Sequence, residues 1–192
     1  HGTGEVSEFR MDGKPFRFYA SLRDEKDIIL CSMSRFVETL HVVGGELVRK
    51  RAPLALPNFG RAIISAGDGK YLVGSNGSGV LLAEPLKGKA EQCCPEAGPF
   101  INAIAKDRLG RVWVGSATGL QAYGDGKLLY SSDKTPAVER LVRSIFPDKD
   151  GGLWIGTSYA GVKYLNGRKE RFSRLSFADA PEALDDDVVT GL

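Results

Sequence analysis

Two aspartates 41 residues apart, Asp107 and Asp148, are the first groups in this 192-residue sequence with the type and spacing to do chemistry. A carboxylate pair can serve as general acid and base, provided both side chains reach one cleft. A second acidic feature, Asp185-Asp186-Asp187, carries the charge of a cation site. It lacks the alternating Asp-x-Asp-x-Asp-Gly order of a calcium loop and reads as a solvated acidic loop. The two histidines, His1 and His41, fall at the chain start and in a strand, with no evident partner for proton transfer. The three cysteines, Cys31, Cys93 and Cys94, show neither C-x-x-C nor Cys/His zinc spacing. Cys31 closes the apolar run Ile28-Ile29-Leu30-Cys31 and reads as a small core residue. Cys93 and Cys94 fall in a predicted loop and could pair with another cysteine in an oxidising compartment. No metal site and no cofactor is expected.

Composition narrows the classes further. The chain has 26 basic and 24 acidic residues, a net charge of +2, so it lacks the basic footprint of a nucleic-acid binder. Lys14, Lys26, Lys50, Arg51, Lys87 and Lys89 are scattered rather than striped. No apolar run approaches the roughly 18 residues that span a bilayer as a helix, and His1-Gly2-Thr3-Gly4 is not a signal peptide. The chain is expected to be a segment of a larger protein. Its 24 glycines imply many tight turns and therefore many short strands.

Those strands recur. Ile101-Asn-Ala-Ile104-Ala-Lys-Asp107-Arg-Leu-Gly110-Arg-Val112-Trp113-Val114-Gly115-Ser116 matches Val142-Arg-Ser-Ile145-Phe-Pro-Asp148-Lys-Asp-Gly151-Gly-Leu153-Trp154-Ile155-Gly156-Thr157 at an offset of 41. Weaker copies lie upstream. One runs from Phe59 through Tyr71 to Ser75 at an offset of 42, with Tyr71 in place of the tryptophan; another holds Phe16–Tyr19 and Ile28–Ser32 at a further 43. Each unit has four short β-prone runs separated by Gly, Asp or Asn turns. A lone four-stranded sheet of that length leaves both faces wet, and radial stacking buries both. The expected fold is all-β: four-stranded antiparallel β-propeller blades at 16–57, 58–99, 100–140 and 141–187, with partial blades at 1–15 and 188–192, in a single 1–192 segment of a larger propeller. Trp113 and Trp154 are expected to fill the gaps between blades. Gly115 and Gly156 are expected where an adjacent backbone comes close. Gly110 and Gly151 are expected at positive φ in hairpin turns. Asp107 and Asp148, being in phase with the repeat, are expected to initiate those turns rather than to act as acid and base.

The pattern Val142-x-x-Ile145-x-x-Asp148-x-x-Gly151-x-Leu153-Trp154-Ile155-Gly156-Thr157-x-x-x-Gly161-Val162-x-Tyr164 resembles the two-component regulator propeller repeat. The resemblance is closest over 141–175, good over 100–130, and fades before residue 50. It implies the periplasmic or extracellular sensor region of a membrane-anchored bacterial hybrid histidine kinase or diguanylate cyclase. The segment itself would be a non-catalytic module that binds a small ligand, a carbohydrate by resemblance. Other expected partners are the rest of the same receptor chain and a second copy in a homodimer, with no nucleic acid.

With the family strand order, one rim gathers the loops at Ser32–Arg35, Asn76–Ser78, Ala117–Thr118 and Ser158–Ala160. The connections near 50–57, 87–98, 131–139 and 176–187 share it. Arg35, Asn76, Thr118 and Tyr159 occupy related positions on that rim, and Asn102 and Arg143 lie one residue into the innermost strands. These six are the candidate ligand-binding residues. Two other functions compete: a propeller enzyme of streptogramin-lyase or glycan-cleaving type, and a protein–protein scaffold using the same rim.

Overall fold

The computed structural model describes residues 10–11, 14–24, 27–44, 46–132, 141–166 and 171–175. Strands β1 (Arg10–Met11) and β2 (Lys14–Pro15) form a small antiparallel hairpin. The first large sheet holds β3 (Phe18–Asp24), β4 (Asp27–Ser32), β5 (Phe36–Val43), β6 (Glu46–Arg49) and β7 (Leu54–Ala55), the last pairing with the start of β5. The second holds β8 (Gly60–Gly67), β9 (Lys70–Ser75), β10 (Val80–Glu84) and β11 (Lys89–Cys93). The third holds β12 (Ile101–Lys106), β13 (Val112–Ser116), β14 (Gly119–Gly124) and β15 (Lys127–Ser131). The fourth holds β16 (Val142–Pro147), β17 (Leu153–Thr157), β18 (Val162–Asn166) and β19 (Arg171–Leu175). Neighbouring strands are antiparallel and follow chain order, and the first strands of successive sheets lie side by side. The architecture is all-β with propeller blades. The expectations for Asp185–Asp187, for 176–187 and for 188–192 lie outside the described residues.

Local chemistry sets the turns. Asp68-Gly69 and Asp125-Gly126 join paired strands with φ positive at both residues (53° and 68°, 50° and 72°), the two-residue hairpin geometry that suits the right-handed strand twist. Gly110 and Gly151 sit at φ 80° and 84°, as the repeat predicted. Asp107 Oδ1 accepts the Leu109 and Arg111 backbone N–H groups, each at 2.9 Å. Asp148 Oδ1 accepts those of Asp150 and Gly152 at 2.9 and 2.7 Å. Both aspartates are turn residues, and they stand at the end of the blades opposite the rim.

Register is pinned at the other end. The first residue of each inner strand pairs with the hydroxyl residue that ends the second strand: Phe18 with Ser32, Gly60 with Ser75, Ile101 with Ser116, Val142 with Thr157. This alignment corrects the sequence offset of the second unit. Gly74, not Val73, stands where Gly115 does, so the spacing there is 41 and Leu72, not Tyr71, occupies the tryptophan position. A one-residue slip in a strand exchanges its two faces. Tyr71 accordingly faces back toward the first sheet, packing with Ile29, Cys31 and Val37. Its hydroxyl donates to Asp24 Oδ2 of that sheet at 2.8 Å. Replacing Tyr71 with phenylalanine is expected to cost about 1 kcal/mol, read as a lower urea midpoint with an unchanged slope; no shift would mean that water replaces the bond fully.

The core lies between sheets. One apolar cluster joins the first and second sheets through Ile29, Val37, Val73 and Ala83. A second joins the second and third through Val80, Ile101, Val114 and Tyr123. A third joins the third and fourth through Trp113, Leu120, Val142 and Ile155. Trp113, 3% exposed, fills the gap expected of it. Trp154 is half-buried against Tyr164 of its own sheet, the ring centroids 4.7 Å apart. The glycine expectation needs refinement. What approaches Gly115 is not backbone but the Val142 side chain of the next sheet, whose Cγ1 would stand 2.5 Å from a Cβ there. Gly74 meets Ile101 of the next sheet in the same way, also at 2.5 Å. Gly156 is buried at the equivalent place in β17.

Candidate functional site

The loops after the second strands and the connections between sheets meet at one end of the blades, stitched by backbone hydrogen bonds. Phe59 O accepts Asn76 N at 3.1 Å, Pro99 O accepts Gly77 N at 2.9 Å, and Phe100 O accepts Ala117 N at 3.2 Å. Ala117 O then accepts Leu141 N at 3.3 Å, and Leu141 O accepts Ser158 N at 3.1 Å. Each loop is therefore tied to its own sheet and, in the middle of the chain, to the next one. The recurring hydroxyl closes each loop on itself. Ser75 Oγ donates to Gly79 O at 2.9 Å and accepts Ser78 N at 2.9 Å; Thr157 Oγ1 donates to Gly161 O at 2.8 Å and accepts Ala160 N at 2.9 Å. Ser32 and Ser116 accept loop N–H groups in the same way. The result is a rim of rigid loops, the usual platform for recognition.

Each inner strand carries an irregularity in register at its second residue, one on each sheet: Tyr19, Arg61, Asn102 and Arg143. A β-bulge leaves its extra residue out of the ladder and re-aims the side chain. Asn102 and Arg143 are candidates legible in the sequence. Tyr19 and Arg61 are their counterparts and escape a sequence alignment whose upstream offsets are a residue out of step. Tyr19 stacks on Phe59 with centroids 5.4 Å apart. Asn102 is not free: its Nδ2 donates to Val142 O of the next sheet at 2.9 Å. Arg143 Nε donates to Ser158 Oγ at 2.6 Å and its side chain is exposed. Arg61 is exposed.

The other four candidates sit on successive loops, one per sheet, and no hydrogen bond joins one of their side chains to another among the described residues. Arg35 is exposed at φ 66°, and its carbonyl accepts Leu56 N at 2.8 Å. Thr118 is exposed with Oγ1 2.9 Å from Ser116 Oγ. Asn76 is half-buried and bridges to Phe100. Tyr159 is 72% exposed and Phe100 50%. Beside Asn76 an open groove of about 470 Å³ runs between Gly77, Ser78, Gln92, Pro95 and Pro99. Its polar lining is neutral.

His41 stands across from Asp27 in the β4–β5 pairing, at the opposite end. Among the described residues no three His, Cys, Asp or Glu side chains are placed to hold a metal ion.

Residues 95–118 and 139–159 match the family model described as two component regulator propeller. These two segments are similar to the two component regulator propeller repeat. They cover the first hairpins of the third and fourth sheets, where the Asp, Gly, Trp and Gly landmarks are complete. The second sheet, with Ala66 at the Asp107 place and Leu72 at the Trp113 place, lies before the first matched segment. The extracellular domain of a hybrid two component system protein from B. thetaiotaomicron superposes on this chain with a TM-score of 0.72 at 21% identity. The match covers 94% of this chain and 24% of that one, so the chain spans about a quarter of the length of that extracellular domain. No curated protein matches the chain.

Proposed function

We propose that this propeller region is an extracytoplasmic, non-catalytic ligand-sensing surface of a bacterial two-component or related transmembrane signalling protein. The observation that carries the reading is the row of in-phase bulges, which leaves Tyr19, Arg61, Asn102 and Arg143 out of the strand ladder at the end of the blades whose rim also presents Phe100 and Tyr159. Aromatic faces beside guanidinium and amide groups suit a carbohydrate: rings cover the apolar C–H face of a sugar, and the planar donors bind its hydroxyls. The rim lacks a His–carboxylate constellation among its described residues, which favours binding over turnover. The proposed partners are the rest of the same receptor chain, anchored in a membrane, and a second copy of it.

Titration of soluble oligosaccharides into the 192-residue chain by calorimetry tests this. Binding is expected for at least one glycan, weakened about 10-fold (about 1.4 kcal/mol) or more by Arg61→Ala with Tyr159→Ala. Arg108→Ala, at the opposite end, should leave it unchanged. Cleavage of the glycan would overturn the non-catalytic reading; equal loss from Arg108→Ala would overturn the rim.

A further inference from the structure

The chain between the second and third sheets holds two adjacent thiols that the rim's recognition chemistry does not use. Cys93 ends β11, and Cys94 follows in the left-handed conformation at φ 53° and ψ 57°. Their sulfurs lie 3.5 Å apart, both residues are half-buried, and both are free. They pack against the cluster of Val80, Ala97, Ile101 and Tyr123. Tyr123 is 4% exposed and its hydroxyl has no hydrogen-bond partner of good geometry. That hydroxyl faces the two sulfurs and Glu96. Polar atoms are thus concentrated at this point of an otherwise apolar seam.

We infer that Cys93 and Cys94 form a reversible dithiol–disulfide couple that exchanges with low-molecular-weight disulfides. Sulfur–sulfur proximity supplies the geometry, and the two thiols are differentiated. The Cys94 S–H donates to Cys93 and holds the Cys93 thiol below its ordinary range, while the same contact and then burial raise Cys94. Cys93 is therefore the attacking group. Its thiolate bonds to one sulfur of an external dialkyl disulfide, whose S–S bond breaks and releases one thiolate. Cys94 then gives its proton to solvent and attacks Cys93 Sγ, closing the intramolecular bond and expelling the second thiolate. The protein loses two electrons and two protons, and the external disulfide is reduced to two thiols.

Two further features fit a reversible role. Consecutive Cα atoms are only about 3.8 Å apart across a trans peptide, shorter than the usual span of about 4.4–6.8 Å in a disulfide, so the bridge is strained and easily reduced. The flanking residues Gln92 and Pro95 line the rim groove, so closing the bridge reshapes that wall. Cys31 is an internal control: it is fully buried, and burial pushes its thiol up to about 12.

The test incubates the reduced 192-residue chain with oxidised glutathione, quenches with acid, alkylates under denaturing conditions and reads masses. The expected product has lost two hydrogens, localised to the tryptic peptide Ala90–Lys106, with Cys31 alkylated. Cys94→Ser should stop at a glutathione adduct on Cys93, and Cys93→Ser should form its adduct at least 10-fold more slowly. Full alkylation of all three cysteines in the wild-type chain would overturn the inference. So would a stable glutathione adduct on the wild-type chain, or a bridge between two chains. None of these results depends on whether a glycan binds.

Discussion

Substituting valine for Gly115 is expected to lower stability by about 3 kcal/mol, seen as a fall in Tm of roughly 6–12 °C. The new Cβ would stand 2.5 Å from Val142 Cγ1 and 3.1 Å from Ile145 Cδ1. Val142 is wholly buried and has no open side to yield into. Val142→Gly alone leaves a void and is expected to cost about 2–4 kcal/mol. Together the two changes should cost less than their sum, by about 1–2 kcal/mol, because the bulk is moved across the seam rather than added or removed. The molecule already contains this exchange. Between the first two sheets the small residue is Gly60 of the second sheet and the larger one is Cys31 of the first, whose Sγ would lie 2.9 Å from a Cβ at position 60. Urea denaturation of the two single variants and the double variant measures the coupling; strict additivity would show that the two sites do not share one space.

Asp107→Ala should be nearly as damaging, at about 3 kcal/mol. The carboxylate takes two backbone N–H bonds, the Arg111 Nε at 2.7 Å and the Trp113 Nε1 at 2.8 Å, and each buried donor left unpaired costs about 1–3 kcal/mol. Burial pushes its carboxyl up, but the Trp113 and Arg111 donors outweigh burial and hold it below the ordinary carboxylate range. A depressed folded-state pKa means that this stabilisation is complete above the unfolded value of about 3.9 and is lost as pH falls through the folded one. Wild-type stability should therefore drop on acidification below about pH 4, and that part of the drop should vanish in Asp107→Ala. An unaltered acid limb in the variant would refute the assignment.

What was legible in the sequence is what each blade does within itself. The Asp and Gly turn landmarks and the tryptophan positions of the third and fourth blades were legible because those two blades repeat the same local geometry. What passes between blades does not repeat in letters. Cys31 with Gly60 does the work of Gly74 with Ile101, but in reverse order, and no periodic search recognises a swap of sizes as a match. The same blindness moved Tyr71 into the tryptophan place: Tyr71 and Leu72 are neighbours in sequence, and only strand pairing shows which face each occupies. It also hid Tyr19 and Arg61, since bulge positions depend on register. Asn102 was legible as a position but not in its bonding, because its partner is a backbone carbonyl 40 residues away.

Each apolar cluster described above is shared by two successive sheets and by no third. Stability in such an array passes only between nearest neighbours, as in a one-dimensional lattice. The second and third sheets each draw on two clusters, whereas the described residues of the first and fourth each draw on one. A defect such as Gly115→Val therefore loosens the third and fourth sheets directly and reaches the first only through the second. Among the described sheets, a loss of packing is handed from neighbour to neighbour rather than felt by all four at once.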